Sequence, residues 1–296
     1  MSAAPVILGR RQLYLLPTRN GWLYALMLAV LLLAAVNYGN GLAYGFTFLL
    51  GSVAVVSMLY THRNLFRLEV SVRAGAPVFA GETASFEVHL KNPAPLARLG
   101  VAVEADKIEI ARVDIAPGTD VAVTLTAPAA RRGWLKPPAF RLATRFPFGI
   151  LYSWSRRLSF DAAALIYPAP AAPQPIPRRG EEAGAAGAGD DFAGVREYRV
   201  GDPMQHIAWK AVARGQGWLT KQFGGGLQAT VWLDFDALAG LDTETRLALL
   251  CRGVLEAERE GARYGLRLAE TALGPDRGEA HQQRCLKALA LFGLKP

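Results

Sequence analysis

The hydrophobic pattern near the start of the chain is dominated by a stretch without charge. No charged residue and no histidine lies between Arg19 and His62. Two apolar runs fill this gap, Trp22–Tyr38 and Leu42–Tyr60, and a short turn-forming sequence separates them. As helices they would be roughly 25 and 28 Å long, close to the ~30 Å hydrocarbon core of a bilayer. The pattern predicts an antiparallel transmembrane hairpin.

After the hairpin, apolar and polar residues alternate, as in strands with one buried face. Leu68–Val72 and Ala84–Leu90 show this most clearly, and Gly and Pro separate similar segments further on. The spacing predicts an antiparallel sandwich of about seven strands. The segment Arg145–Gly149, with the sequence RFPFG, indicates a corner of this sandwich, and a docking surface is the alternative.

The last part of the chain alternates between strand and helix patterns. Ala229–Asp234 and Tyr264–Leu268 are predicted strands, and Asp242–Glu260 and Glu279–Phe292 are predicted helices. This β-α-β-α order predicts a parallel sheet with right-handed crossovers. The preceding Pro168–Gly194 is rich in Pro, Ala and Gly without a period, which is typical of an exposed linker.

These patterns predict a membrane-anchored α+β protein with a two-helix transmembrane hairpin, an antiparallel β-sandwich and a small α/β piece. The predicted segments are a cytoplasmic N-terminal segment (1–19), the hairpin (20–61), the sandwich (62–167), the linker (168–194) and a motif segment with the α/β piece (195–296).

Composition narrows the class of protein further. The 296 residues carry a formal charge of +8, and 51% of them are hydrophobic. Two cysteines, Cys251 and Cys285, are too few for a disulfide scaffold, and the apolar content excludes disorder throughout. A cleaved signal peptide would account for the first apolar run alone. A buried helical pair of a soluble protein is the other alternative.

The basic residues around the hairpin predict its orientation. Arginines flank it on both sides and the loop between the helices has none: Arg10, Arg11 and Arg19 precede it, and Arg63, Arg67 and Arg73 follow it. The positive-inside rule then places both termini in the cytoplasm. These arginines would face the lipid bilayer, and they account for part of the positive net charge. No nucleic-acid partner is therefore expected.

The segment Val195–Phe223 interleaves basic and aromatic residues. A Gly-Asp-Pro turn opens a possible short helix, Ile207–Arg214, and Trp218–Phe223 alternates like a strand. A nucleic-acid surface would place the cations on phosphates and stack the aromatics on bases, but the segment is not basic enough to favour that. No nucleophile–base pair is evident. An internal network of paired Arg and Glu with buried Trp, which could also present a binding surface, fits best.

The pattern R-E-Y, G-D-P, I-x-W-K, A-R and L-x-K-x-F closely resembles the hallmark of the family called domain of unknown function 58. An N-terminal hairpin with Asn37–Asn40 at its turn, and Arg145–Gly149 in the β-rich part, agree with that family's layout. The resemblance implies a protein of the bacterial cytoplasmic (inner) membrane. The implied partners are a MoxR-type AAA+ ATPase and neighbouring membrane proteins. The family's biochemical activity is not established.

This resemblance leads to a set of candidate binding residues in the motif segment: Arg196, Glu197, Tyr198, Asp202, Trp209, Lys210 and Arg214. We expect Arg196 and Arg214 to pair with nearby carboxylates or with those of a partner, and Trp209 to be a buried anchor. The alternative is that these residues only hold the α/β piece against the sandwich. The expected function is that of a scaffold or adaptor in envelope maintenance or complex assembly, with no enzymatic activity.

The resemblance also implies an incomplete von Willebrand A-like α/β piece. Such domains bind a divalent metal through Asp-x-Ser-x-Ser after the first strand, where this chain has Asp234, Asp236 and Leu238. A hard cation needs several oxygen ligands, and Leu238 offers none, so we expect no metal and no cofactor. A metal-dependent binding module is the alternative. A hydrolase using His281 and Cys285, four residues apart on a predicted helix, is less favoured because no orienting acid is evident.

Overall fold

The computed structural model describes residues 5–173, 179–181, 192–198, 204, 207–212, 214, 217–223, 230–269 and 271–294. The chain divides into two compact units, Met1–Tyr167 and Pro168–Pro296. The first unit contains both apolar helices and a β-rich body, and the second contains the α/β elements.

The two apolar runs form helices α1 (Arg19–Tyr38) and α2 (Gly41–Leu65). The Thr18 side chain caps α1 by accepting from the backbone N–H of Gly21 at 3.0 Å. Gly39 ends α1 in the left-handed conformation, and the Asn40 side chain caps α2. Both helices are long and apolar enough to cross a membrane by length and composition. The two-helix prediction is therefore confirmed.

The rest of the first unit is made of strands, whose bounds are β1 (Val6–Ile7), β2 (Leu13–Pro17), β3 (Glu69–Ala74), β4 (Val78–Phe79), β5 (Thr83–Lys91), β6 (Arg98–Ala105), β7 (Ile108–Ile115), β8 (Asp120–Pro128), β9 (Gly133–Leu135), β10 (Phe140–Thr144), β11 (Leu151–Ser155) and β12 (Ala164–Tyr167). The sheets have the orders β1-β3-β5-β8, β2-β11-β10-β6-β7 and β4-β12-β9. The pairings are antiparallel except between β4 and β12.

The core of the first unit joins its two larger sheets. Val72 and Phe86 from one sheet and Val103 and Leu142 from the other belong to one cluster of buried side chains. Along β5 the buried residues alternate with more exposed ones. Burial of alternate residues is the physical consequence of a strand with one face on the core. The prediction of a β-rich body with antiparallel sheets is confirmed.

The N-terminal segment is built into the sheets, which the apolar pattern does not indicate. β1 pairs with β3, and β2 pairs with β11 along its whole length. Leu8 follows β1 and Leu13 begins β2, and both side chains are buried in the core of the first unit. The pairing places Pro17 opposite Leu151, directly before the start of α1. Strands of two and five residues are too short to show a clear period.

The end of α2 is tied to the sheet through polar side chains. Asn64 is buried and donates from Nδ2 to the carbonyl oxygen of Leu99 at 2.6 Å and to Oγ1 of Thr144 at 2.8 Å. The buried guanidinium of Arg98 donates to the carbonyl oxygens of Arg63 and Phe66. Carbonyl oxygens at the end of a helix have no hydrogen-bond donor within the helix, and Arg98 supplies one. Burial, with the nearby charge of Arg63, lowers the pKa of Arg98.

The RFPFG segment is a tight turn that contacts both helices. Gly149 has φ +69°, and its N–H donates to the Arg145 carbonyl at 2.8 Å. The Thr18 hydroxyl at the start of α1 donates to the Gly149 carbonyl at 2.6 Å. The Thr61 hydroxyl in α2 donates to the Phe146 carbonyl at 2.7 Å. The turn is therefore a corner of the β-rich body, as predicted. It also attaches the helical hairpin to that body.

The second unit contains β13 (Arg179–Glu181), β14 (Phe192–Glu197), α3 (Trp209–Val212), β15 (Leu219–Phe223), β16 (Thr230–Asp234), α4 (Thr243–Arg259), β17 (Tyr264–Leu268), β18 (Thr271–Asp276) and α5 (Glu279–Leu291). One sheet has the order β13-β16-β17-β18, and β14 pairs with β15. The predicted helices and strands of the α/β piece are present with nearly the expected bounds.

The prediction of a parallel sheet is wrong for part of this unit. β16 and β17 are parallel, because α4 supplies the crossover between them. β13 and β18 are antiparallel to their neighbours, so the sheet is mixed. The short connection after Leu268 leaves room only for an antiparallel return. β13 and the first half of β14 lie within 168–194, where composition indicates a linker.

Candidate interaction site

The motif segment contains a small two-stranded sheet. β14 and β15 are antiparallel, with Arg196 opposite Thr220 and Glu197 opposite Leu219. Directly after β14, the backbone N–H of Tyr198 donates to the carbonyl of Trp218 at 2.9 Å. The pairing therefore brings two residues twenty positions apart in sequence side by side.

A second connection holds α3 against β15. Ile207 forms an isolated bridge with Thr220, and the N–H of Ala208 donates to the Leu219 carbonyl at 2.8 Å. Ile207 and Ala208 are both buried. Since the two residues before α3 bury their side chains, the first residue of the helix, Trp209, lies at the edge of this packing.

Three aromatic side chains meet at the surface, and we call Tyr198, Trp209 and Trp218 the aromatic cluster. The ring centroids of Tyr198 and Trp218 lie 5.8 Å apart at 52°. Those of Trp209 and Trp218 lie 6.3 Å apart at 63°. These are the tilted and edge-on arrangements that aromatic quadrupoles favour. Trp209 is nevertheless 56% exposed and Trp218 55% exposed.

The prediction that Trp209 is a buried anchor is therefore wrong. α3 is four residues long, and its approach to β15 is filled by Ile207 and Ala208. A helix this short has no second turn to cover the indole. Two exposed tryptophans in contact form an apolar surface that is available to another molecule.

The charged candidates other than Asp202 lie in β14 and in or after α3. Glu197 and Arg214 are exposed, Arg196 lies in β14 and Lys210 in α3, and Asp202 falls outside the described residues. The expected pairing of the arginines with carboxylates stays a prediction. Trp218 is absent from the predicted binding residues, because its place in an alternating run indicates only a strand. The feature of the sequence that could have identified Trp218 is its position among the aromatic residues that interleave with the basic ones.

The two aspartates after β16 lie in one local turn. The N–H of Asp236 donates to Oδ1 of Asp234 at 3.0 Å, and Leu238 is buried. Among the residues that the structure describes, no group of three or more His, Cys, Asp or Glu side chains is placed to hold a metal ion. The expectation that these residues bind no metal stays a prediction.

The His281–Cys285 pair lacks the geometry of an activated nucleophile. Cys285 Sγ lies 3.5 Å from His281 Nε2, and both residues are buried. The same Nε2 lies 2.8 Å from the carbonyl oxygen of Tyr264, so it carries the proton and donates to that acceptor. It cannot accept the thiol proton in this arrangement. Burial raises the pKa of Cys285 to about 12, opposite to the shift of a reactive cysteine.

The sequence matches no protein-family model and no curated protein. Among solved structures, the CARDB domain of a Pyrococcus furiosus protein, determined by solution NMR, is similar to part of the chain. The identity is 13%, the match covers 32% of this chain and 89% of that chain, and the TM-score is 0.20.

Proposed function

We propose that this protein is anchored in the bacterial inner membrane by α1 and α2, with both termini in the cytoplasm. The large apolar side chains along both helices are exposed, Leu33 and Leu42 among them. A soluble protein rarely exposes a continuous apolar surface of this extent. Arginines at both open ends of the hairpin and none at its turn support this orientation.

In this proposal the cytoplasmic part is a scaffold or adaptor, and the aromatic cluster is its contact with a protein partner. The observation that carries it is the mutual contact of Trp209 and Trp218 while more than half of each remains exposed. Tryptophan and tyrosine are enriched among the residues that dominate binding energy at protein interfaces. By the family resemblance, the partner is a MoxR-type AAA+ ATPase or a neighbouring membrane protein.

The α/β piece fits this proposal as an incomplete von Willebrand A-like module. The parallel pair β16–β17 with α4 as its crossover is the feature that supports the likeness. We propose that this piece supports the aromatic cluster structurally and that the adaptor works without enzymatic chemistry.

A direct binding measurement tests the adaptor proposal. The full-length protein in nanodiscs is titrated with the purified MoxR-type ATPase of the same genome, with and without ATP. Trp209→Ala and Trp218→Ala are expected to weaken binding about 30-fold, the loss typical of a central interface tryptophan. Arg214→Ala tests whether the charged residues of the motif segment also contribute to binding. Trp134→Ala is the matched control, because Trp134 in β9 is 53% exposed and lies in the other unit.

Equal binding by the wild type and both cluster variants would remove the aromatic cluster from the interface. Absence of binding by the wild type under every nucleotide condition would remove the ATPase as partner. Membrane insertion is tested separately with alkaline phosphatase fusions. A fusion at Gly39 should be active in the periplasm and a C-terminal fusion inactive, and the reverse result would overturn the orientation.

A further inference from the structure

A basic cavity lies at the foot of the helical hairpin, within the first unit. Its volume is about 660 Å³, and Arg19, Arg141, Arg145, Tyr152 and Trp154 contribute to its walls. The sheet β2-β11-β10 forms one side, because Leu16, Tyr152 and Trp154 lie on the same face of the paired strands. The start of α1 forms another side.

The charges around this cavity do not cancel. Arg141 forms an ion pair with the buried carboxylate of Glu104 at 2.8 Å, and Glu109 is held by Arg112 at 2.7 Å. Among the described residues, Arg19 and Arg145 have no carboxylate within salt-bridge distance. Two guanidinium groups are therefore left to attract an anion. Guanidinium groups bind phosphate and carboxylate through pairs of parallel hydrogen bonds.

The aromatic residues of the cavity hold one of these arginines in place. Arg145 lies over the ring of Tyr152, with 5.2 Å between its Cζ atom and the ring centroid. Tyr152 stacks on Trp154 at 5.1 Å, and its hydroxyl donates to Glu104 at 2.9 Å. Burial and the Glu104 carboxylate raise the pKa of Tyr152 to about 12, so its hydroxyl stays neutral. Arg145 is thus positioned on a rigid support.

The start of α1 adds donors on the same side. The N–H of Thr18 bonds to the Ile150 carbonyl, and that of Gly21 to the Thr18 side chain. The N–H groups of Arg19 and Asn20 have no hydrogen-bond partner among the described residues. Free N–H groups at the start of a twenty-residue helix favour a negative charge.

An apolar crevice of about 240 Å³ also has Pro17 in its wall. Tyr24, Leu28 and Met58 from the two helices line it, together with Leu151. Leu151 and Tyr152 are successive strand residues, so they face opposite sides of the sheet. The basic cavity and the apolar crevice therefore lie on opposite faces of the sheet, and both border the start of α1, where the chain would enter the membrane.

We propose that the basic cavity binds the phosphate of an anionic phospholipid of the cytoplasmic leaflet, with Arg19 and Arg145 as its main ligands. The inference rests on the membrane insertion proposed above, because insertion of α1 and α2 sets Arg19 at the level of the lipid headgroups. Attraction of anionic lipid to juxtamembrane arginines adds to insertion but does not require a cavity. Because the cavity holds its arginines in fixed positions, we expect it to select an anionic headgroup in a way that a diffuse basic surface does not.

Lipid titration of the full-length, detergent-solubilised protein tests the proposal. Water-soluble dihexanoyl phosphatidylglycerol is expected to quench or shift tryptophan fluorescence at concentrations about tenfold below those of dihexanoyl phosphatidylcholine, a tenfold ratio being about 1.4 kcal/mol. Arg19→Gln/Arg145→Gln is expected to remove this difference. Arg73→Gln/Arg131→Gln removes the same charge from exposed arginines outside the cavity and should retain it.

Several outcomes would overturn the proposal. Equal affinity for the two lipids, or full retention of selectivity by Arg19→Gln/Arg145→Gln, would do so. If glycerol phosphate or inorganic phosphate binds as tightly as the lipid, the ligand is a soluble phosphate and the lipid assignment fails. Membrane extraction and the phosphatase fusions are measured on the same variants, so a failure of insertion is distinguishable. If the double variant does not fold, Arg19→Gln and Arg145→Gln are measured singly.

Discussion

The side chain of Asn64 in α2 is bonded in both directions to the backbone of Leu99 in β6. Its Nδ2 donates to the Leu99 carbonyl at 2.6 Å, and its Oδ1 accepts from the Leu99 N–H at 3.0 Å. The amide thus pairs with the strand as another strand residue would. Gly100 follows with φ +59°, and the register of β6 against β7 shifts between Arg98 and Val101.

Asn64→Leu should destabilise the protein, because it leaves the N–H and carbonyl of the half-buried Leu99 without these partners and removes the polar group of the buried Asn64. The expected loss in free energy of unfolding is about 2 kcal/mol. Urea unfolding in detergent, followed by tryptophan fluorescence, measures it. Ser52→Ala is the control in the same helix, since the exposed Ser52 hydroxyl bonds only to the Leu49 carbonyl of its own helix. Equal midpoints for the two variants would contradict the role of Asn64.

Gly21→Ala should weaken the contact between the helical hairpin and the RFPFG turn. A Cβ at Gly21 would overlap the carbonyl oxygen of Ile150, which is backbone and has little freedom to move. The expected cost is about 1–3 kcal/mol. Gly45→Ala in α2 meets no atom within 4 Å and should be neutral or slightly stabilising. Thermal unfolding of the two variants in the same detergent compares them, and a smaller loss for Gly21→Ala would count against the contact.

Gly265→Ala should destabilise the second unit. A Cβ at Gly265 in β17 would lie 2.6 Å from the ring of Trp232 in β16. That ring is held between the strand and Arg267, whose Cζ lies 3.9 Å from the ring centroid. We expect a loss of about 1–3 kcal/mol. Gly274→Ala in β18 has open space and should change the urea midpoint little. If both variants unfold at the wild-type urea concentration, the packing of Trp232 is less tight than described.

The buried thiols predict a loss of stability at alkaline pH. Burial raises the pKa of Cys251 and of Cys285 from 9.0 to about 12. The neutral thiols contribute their full stability below pH 9, and this contribution falls as the pH rises from 9 towards 12, where only the unfolded chain loses these protons. Urea midpoints across this range should fall more steeply for the wild type than for Cys251→Ala/Cys285→Ala.

Thiol labelling gives an independent check of the same burial. Iodoacetamide at pH 8 should leave both cysteines of the folded protein unmodified and should label both in urea. Rapid labelling of Cys285 in the folded protein would show an accessible thiolate and would reopen the hydrolase hypothesis.

Elements whose signal is local follow directly from the order of residues. The apolar runs were sufficient to predict α1 and α2, since a helix satisfies its own backbone hydrogen bonds and needs only a continuous apolar stretch. The alternation in Ala84–Leu90 was sufficient for β5, because burial on one face imposes a period of two. The order of strands and helices after Thr230 predicted the parallel pair β16–β17.

Contacts between residues far apart in the chain become visible only in the folded protein. The pairing of β2 with β11 and the contacts of Thr18 with Gly149 join positions more than a hundred residues apart, and no local period records them. The exposure of Trp209 depended on how little of α3 packs on β15, which an aromatic residue in a motif cannot reveal. The basic cavity likewise exists only because folding gathers Arg19 and Arg145 while the carboxylates nearby are already paired. Long-range pairing depends on complementary surfaces, and these are properties of the fold.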